Sequence, residues 1–94
     1  DPPAKYNPTA EVTNTLVGTG SIIDGNVKNS VLFRKVFVGE GATVENSVIM
    51  KSSYIGKGCV IKNAIIDKEV VISDNKEVIG TEEEPIVIGK GQVI

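Results

Sequence analysis

Aliphatic residues return along this chain in a fixed rhythm. The tetrads Asn14-Thr15-Leu16-Val17, Asn29-Ser30-Val31-Leu32, Asn46-Ser47-Val48-Ile49 and Asn63-Ala64-Ile65-Ile66 are copies of one unit, spaced 15, 17 and 17 residues apart. Three aliphatic columns run in step with them. The first is Val12, Val27, Val44, Ile61; the second Val17, Leu32, Ile49, Ile66; the third Ile23, Val38, Ile55, Ile72. The first column leads the second by five residues and the second leads the third by six. The return to the first column takes four residues in the first coil and six afterwards. Each coil therefore has three short sides.

Residues i and i−2 of an extended segment share a face. Two places before each column residue stands a small or β-branched one. These are Ala10, Gly25, Ala42 and Cys59; Thr15, Ser30, Ser47 and Ala64; Ser21, Val36, Ser53 and Val70. One large and one small inward residue per side fit a narrow triangular interior. The pattern predicts an all-β chain, a parallel β-helix of hexapeptide repeats with about five coils. Segments such as Val38-Gly39-Glu40-Gly41 and Ile55-Gly56-Lys57-Gly58 supply corners. No coil buries its inward face alone; stacking makes the core continuous.

The ends depart from the rhythm. Val78 keeps the first column, but Glu83 stands where a second-column residue is due. Residues 80–85 are therefore expected to form an excursion loop replacing one side, with the rhythm resuming at Ile88. Residues 1–9 carry three prolines and are expected to be an extended linker from a missing N-terminal domain, leaving 10–94 as the β-helix.

Composition agrees and narrows the chemistry. Valine and isoleucine supply 26 of 94 residues, and β-branched side chains suit strands. There is no histidine, which excludes histidine bases, Ser-His-Asp and Cys-His systems and histidine-ligated zinc. A single cysteine, Cys59, excludes an intrachain disulfide. The net charge of −2 is interspersed, so no nucleic acid partner is expected. No apolar run approaches a membrane span. The start lacks signal-peptide character and an initiator methionine, which reads as a piece of a longer, cytoplasmic protein.

Few residues offer chemistry. The Asn14/Asn29/Asn46/Asn63 ladder is expected to stack at a corner, where asparagine tolerates the left-handed region. Cys59 falls in a small-residue column and is expected to be a buried, inert thiol. The G-x-G segments open no helix and read as corners, not phosphate loops. Glu82–Glu84 reads as a solvated loop. Arg34 and Lys35 follow the second-column Leu32, and Lys51 occupies the matching corner one coil later. These three form a candidate basic patch for an anionic effector or a neighbouring domain, because guanidinium suits phosphate.

The ordered phrases resemble a known family. They run from Pro2-Pro3-Ala4-Lys5-Tyr6 through Ile22-Ile23-Asp24-Gly25 to Val27-Lys28-Asn29-Ser30-Val31-Leu32-Phe33-Arg34. Val38-Gly39-Glu40-Gly41-Ala42 and Asn46-Ser47-Val48-Ile49-Met50 follow. They are similar to the C-terminal β-helix domain of bacterial glucose-1-phosphate adenylyltransferase (ADP-glucose pyrophosphorylase). The ending, Glu84-Pro85-Ile86-Val87-Ile88-Gly89-Lys90-Gly91, looks more like the GlgD-type subunit.

The resemblance implies a left-handed helix. It also implies a parent that makes ADP-glucose and pyrophosphate from ATP and glucose 1-phosphate with Mg²⁺, for glycogen synthesis. The chemistry would lie in an N-terminal nucleotidyltransferase domain, and the β-helix would serve oligomer contacts and regulation. No catalytic residue and no cofactor carry over to this chain. The implied partners are the parent's own N-terminal domain, a homologous catalytic subunit and further copies of the chain.

Rival readings share the fold. Hexapeptide acyltransferases and γ-class carbonic anhydrases use histidines this chain lacks. An ice-binding solenoid would need a regular threonine array, and the threonines form no column. Another sugar-nucleotide pyrophosphorylase, such as a mannose-1-phosphate guanylyltransferase, is the nearest alternative.

Overall fold

The structure, a computed structural model, describes residues 2–94. Its regular structure is fifteen short strands in three parallel sheets of five. Sheet I carries the first column: β2 (Glu11–Thr13), β5 (Asn26–Lys28), β8 (Thr43–Glu45), β11 (Val60–Lys62) and β14 (Glu77–Ile79). Sheet II carries the second: β3 (Leu16–Val17), β6 (Val31–Leu32), β9 (Val48–Ile49), β12 (Ala64–Ile66) and β15 (Ile86–Ile88). Sheet III carries the third: β1 (Lys5–Tyr6), β4 (Ile22–Ile23), β7 (Phe37–Val38), β10 (Tyr54–Ile55) and β13 (Val71–Ile72). Successive strands alternate among the sheets, so the chain winds around a three-sided prism.

The register follows the columns. Val27 pairs with Val44, Leu32 with Ile49 and Val38 with Ile55. Ten of the twelve column residues are buried. Val12 and Val17 are half-buried because they sit in an end coil, with neighbours on one side only. Burying one such side chain contributes roughly 1.5–3 kcal/mol, which offsets the entropy of ordering its strand.

The small inward residues do more than save space. The Ser47 hydroxyl donates to the Glu45 carbonyl at 2.7 Å and accepts from the Ala64 amide, one coil on, at 3.1 Å. Ser30 does the same with the Lys28 carbonyl (2.9 Å) and the Ser47 amide (3.1 Å). Ser21 and Ser53 also bridge coils, through the amides of Val36 and Val70. Each hydroxyl satisfies a backbone amide that the corner would leave unpaired.

The corners explain the asparagines. Asn14, Asn29, Asn46 and Asn63 turn from sheet I to sheet II with φ between 48° and 51°. The Asn14 amide donates to the Asn29 side-chain oxygen at 2.7 Å, and Asn63 to the Gly80 carbonyl at 3.1 Å. The stacked corner read from the sequence is borne out. The shorter first return closes on Gly25, where a β-carbon would lie 2.6 Å from the carbonyl oxygens of Gly39 and Ala42. Only glycine allows that approach.

Two boundaries differ from expectation. Lys5–Tyr6 lies inside the stretch expected to be linker, yet it pairs with Ile22–Ile23 as the first strand of sheet III. The helix thus starts before residue 10; the prolines flank the strand without needing to donate in it. Residues 80–85 do not replace a side. They are inserted at the sheet I/sheet II corner, and Ile86–Ile88 then restores the side by pairing with Ala64–Ile66. The second-column residue of this coil is Ile88. After it Val93 bridges to Val71, extending sheet III.

Candidate functional site

The corner from sheet II to sheet III is a two-residue turn repeated in every coil. Its second residue has positive φ in Gly20, Lys35, Ser52, Glu69 and Gly91. The turns are tied coil to coil: the Lys35 amide donates to the Thr19 carbonyl, Ser52 to Arg34, Glu69 to Lys51 and Gly91 to Lys68, each at 3.0 Å. That stacking sets the side chains of Arg34, Lys51, Lys68 and Lys90 in one line, about 4.8 Å apart per coil.

The structure brings Arg34, Lys35 and Lys51 together, as their spacing predicts. With Ser52 they line a shallow depression of about 200 Å³. All three cations are exposed. Lys68 and Lys90, which extend the line, escaped the sequence reading. Their signal was present: 34, 51 and 68 are 17 apart, and the step to 90 is longer by the five-residue insertion. Carboxylates balance this upper half, Lys68 lying 3.9 Å from Asp67 and Lys90 3.8 Å from Glu69. Among the described residues Lys35 and Lys51 make no ion pair. The cations of this corner without an ion pair among the described residues are therefore Lys35 and Lys51, on its two lower turns.

The other candidates resolve structurally. Cys59 is fully buried and its thiol donates to the Ser73 carbonyl at 3.0 Å. Glu82, Glu83 and Glu84 are exposed in the inserted loop, which is closed by the Thr81 amide donating to the Glu84 carbonyl at 3.2 Å. Among the described residues no group of three or more acidic, cysteine or histidine side chains is disposed to hold a metal. No helix among them is long and apolar enough to cross a membrane.

Fold and corner together define a hexapeptide-repeat β-helix that displays charge and apolar surface around a closed core. The chain belongs to the GlmU-like, C-terminal hexapeptide family, whose model matches residues 2–85. It is 52% identical to the glycogen biosynthesis protein GlgD of Bacillus subtilis over 93 residues, 99% of this chain. It is 46% identical over 43 residues to the glucose-1-phosphate adenylyltransferase of Geobacillus stearothermophilus, 46% of this chain and 11% of that one. The chain spans about a quarter (27%) of the length of the GlgD relative.

Among solved structures, a putative acetyltransferase from Desulfovibrio desulfuricans superposes with a TM-score of 0.85 at 20% identity. That match covers 97% of this chain and 21% of the other, and shows the fold alone. The chain is thus a left-handed β-helix, and the resemblance drawn from its motifs, to the adenylyltransferase C-terminal domain of GlgD type, holds along its whole length.

Proposed function

We propose that this chain is the non-catalytic, regulatory and assembly domain of a GlgD-type subunit in a cytoplasmic glucose-1-phosphate adenylyltransferase. The parent enzyme transfers the adenylyl group of ATP to glucose 1-phosphate and releases pyrophosphate. Magnesium and the reacting groups belong to the nucleotidyltransferase part of the parent. The β-helix contacts that part and the homologous catalytic subunit, and its basic corner receives an anionic effector or an acidic neighbouring surface. The observation that carries this reading is the GlgD likeness over 99% of the chain. The absence of histidine agrees with a non-catalytic role.

The test uses the full-length parent with its catalytic subunit. Removing residues 10–94 is expected to abolish co-purification of the two subunits and to flatten the effector response of ADP-glucose synthesis. Unchanged assembly and regulation would overturn the proposal.

A further inference from the structure

The three corners of the prism carry different chemistry. Arg34, Lys51 and Lys68 stand on the corner from sheet II to sheet III, and Asp24, Glu40, Lys57 and Asp74 on the corner from sheet III to sheet I. The corner from sheet I to sheet II carries Asn14, Asn29, Asn46 and Asn63, with no charge until the inserted loop. Along it runs a groove of about 760 Å³. The carboxamides of Asn14, Asn29 and Asn46 supply its polar side, and the outward side chains Leu16, Val31 and Val48 of sheet II its apolar side. No charged residue lines it. A hollow of about 280 Å³ shares Asn46 and Val48 with the groove and reaches Ile65, where Glu82 and Pro85 of the inserted loop complete its lining.

We infer that this groove binds a neutral α-glucan chain, laid along the prism axis across the first three coils. Hydrogen-bonding capacity supplies the first reason. The Asn14 amide donates to the Asn29 side-chain oxygen at 2.7 Å. Among the described residues, no hydrogen bond to another residue uses the Asn29 amide hydrogens or either end of the Asn46 carboxamide. A carboxamide offers a donor and an acceptor side by side, which is what a pair of neighbouring sugar hydroxyls also offers. Successive asparagines stand about 4.8 Å apart, so the rungs repeat on the scale of one pyranose unit. The aliphatic strip receives the C–H face of the rings, while the few polar groups fix their orientation.

The alternatives fit less well. An extended peptide needs a free strand edge, and the groove runs across the strands. Its corner amides are already taken: Asn29 donates to Thr13, Asn46 to Lys28 and Asn63 to Glu45, each at 3.1 Å. An anion or cation finds no countercharge there. Sheet III also presents an apolar ladder, Ile22, Phe37, Tyr54, Val71 and Val93. Charged corners bound it on both edges, and no asparagine ladder runs beside it. Phe37 and Tyr54 stack at 4.8 Å and 10°, so each ring already has one face covered by the other.

That the sugar is an α-glucan rests on the adenylyltransferase reading, in which the parent supplies glucosyl units for glycogen; the groove itself rests on geometry. The experiment is a nitrogen-15 NMR titration of the 94-residue chain, whose core is closed within it. Maltoheptaose is added up to about 50 mM, a range that reports millimolar affinity. The side-chain amides of Asn29 and Asn46 are expected to shift and saturate. Asn29→Gly and Asn46→Gly, which suit the positive φ at these corners, are each expected to weaken binding about fivefold, the effect of one ordinary hydrogen bond. Val71→Thr on sheet III is expected to leave it unchanged. Circular dichroism melts of the variants separate lost binding from lost folding.

Cellohexaose and a neutral peptide of serine, asparagine and glycine are titrated in parallel. Shifts with cellohexaose but not maltoheptaose would overturn the inference through the reading that chose the sugar. No shift with either sugar, equal shifts with the peptide, or glycine variants that fold and bind as wild type would overturn it at the groove itself.

Discussion

The Ser47 hydroxyl accepts the Ala64 amide at 3.1 Å, one coil further on. Ser47 is 3% exposed, so this amide has no water to fall back on. Ser47→Ala is expected to cost about 1–3 kcal/mol, the penalty of an unsatisfied buried donor. Ser47→Val, larger and equally unable to accept, is expected to cost more because the interior is closed. Urea unfolding monitored by circular dichroism checks both, and a stabilised Ala variant would show that the small column serves volume alone.

Position along the prism should grade the core. Ile49 is fully buried with a coil on either side, so Ile49→Ala is expected to cost about 2–5 kcal/mol. Val17 is half-buried in the first coil of its sheet, and Val17→Ala is expected to cost clearly less. Equal losses at the two sites would contradict the end-coil account.

At the Asn corner, backbone conformation matters more than side-chain volume. Asn46 holds φ of 48°. Asn46→Ala is expected to lose up to about 1–2 kcal/mol, because alanine keeps a β-carbon in the left-handed region and lacks the short polar side chain whose local hydrogen bonding offsets that cost in asparagine. Asn46→Gly is expected to stay within about 1 kcal/mol of wild type, since glycine enters that region freely. A glycine variant as damaged as the alanine one would mean that the amide contacts carry the corner.

The inserted loop can be cut out on paper without disturbing a column. Deleting Thr81–Pro85 joins Gly80 to Ile86 and restores the five-residue step from the first column to the second. Gly80 then takes the place Asn63 holds one coil earlier, and its amide already donates to the Lys62 carbonyl at 2.9 Å. The shortened chain is expected to keep its circular dichroism spectrum and melt within a few degrees of wild type; surface loops contribute little closure energy per residue. Loss of cooperative unfolding would show that the loop braces the last coil.

For the basic corner the expected readout is regulation. Arg34→Ala combined with Lys51→Ala, made in the assembled parent enzyme, is expected to shift the effector concentration for half response upward. Basal turnover should stay unchanged. Response curves identical to wild type, with assembly intact, would leave the corner a solubilising surface.

The sequence by itself determined the coil. Its repeat is local, four to six residues to a side, and up to the inserted loop a residue's partner in the next coil is the one 15 or 17 places on. The twelve column residues, the small inward positions and the αL asparagines were legible because each obeys that local rule. So was the cluster of Arg34, Lys35 and Lys51, since two neighbouring turns suffice to place it.

Tertiary structure decided what the local rule does not reach. Tyr6 carries no mark of the repeat, yet pairs with Ile23 because a parallel edge accepts any extended backbone that can pair with it. The five-residue insertion hid the true register of Ile88, and with it the continuation of the basic line to Lys90. The neutralisation of Lys68 and Lys90 depends on where flexible side chains meet across a turn, and spacing alone does not settle that. The serine hydroxyls appear in the sequence only as small residues; their role emerges when the next coil brings an amide within 3.1 or 3.2 Å. Inward positions are fixed by exclusion of water, which a pattern of apolar residues records. Outward relationships are fixed by what stands beside them in space, which only the stacked coils supply.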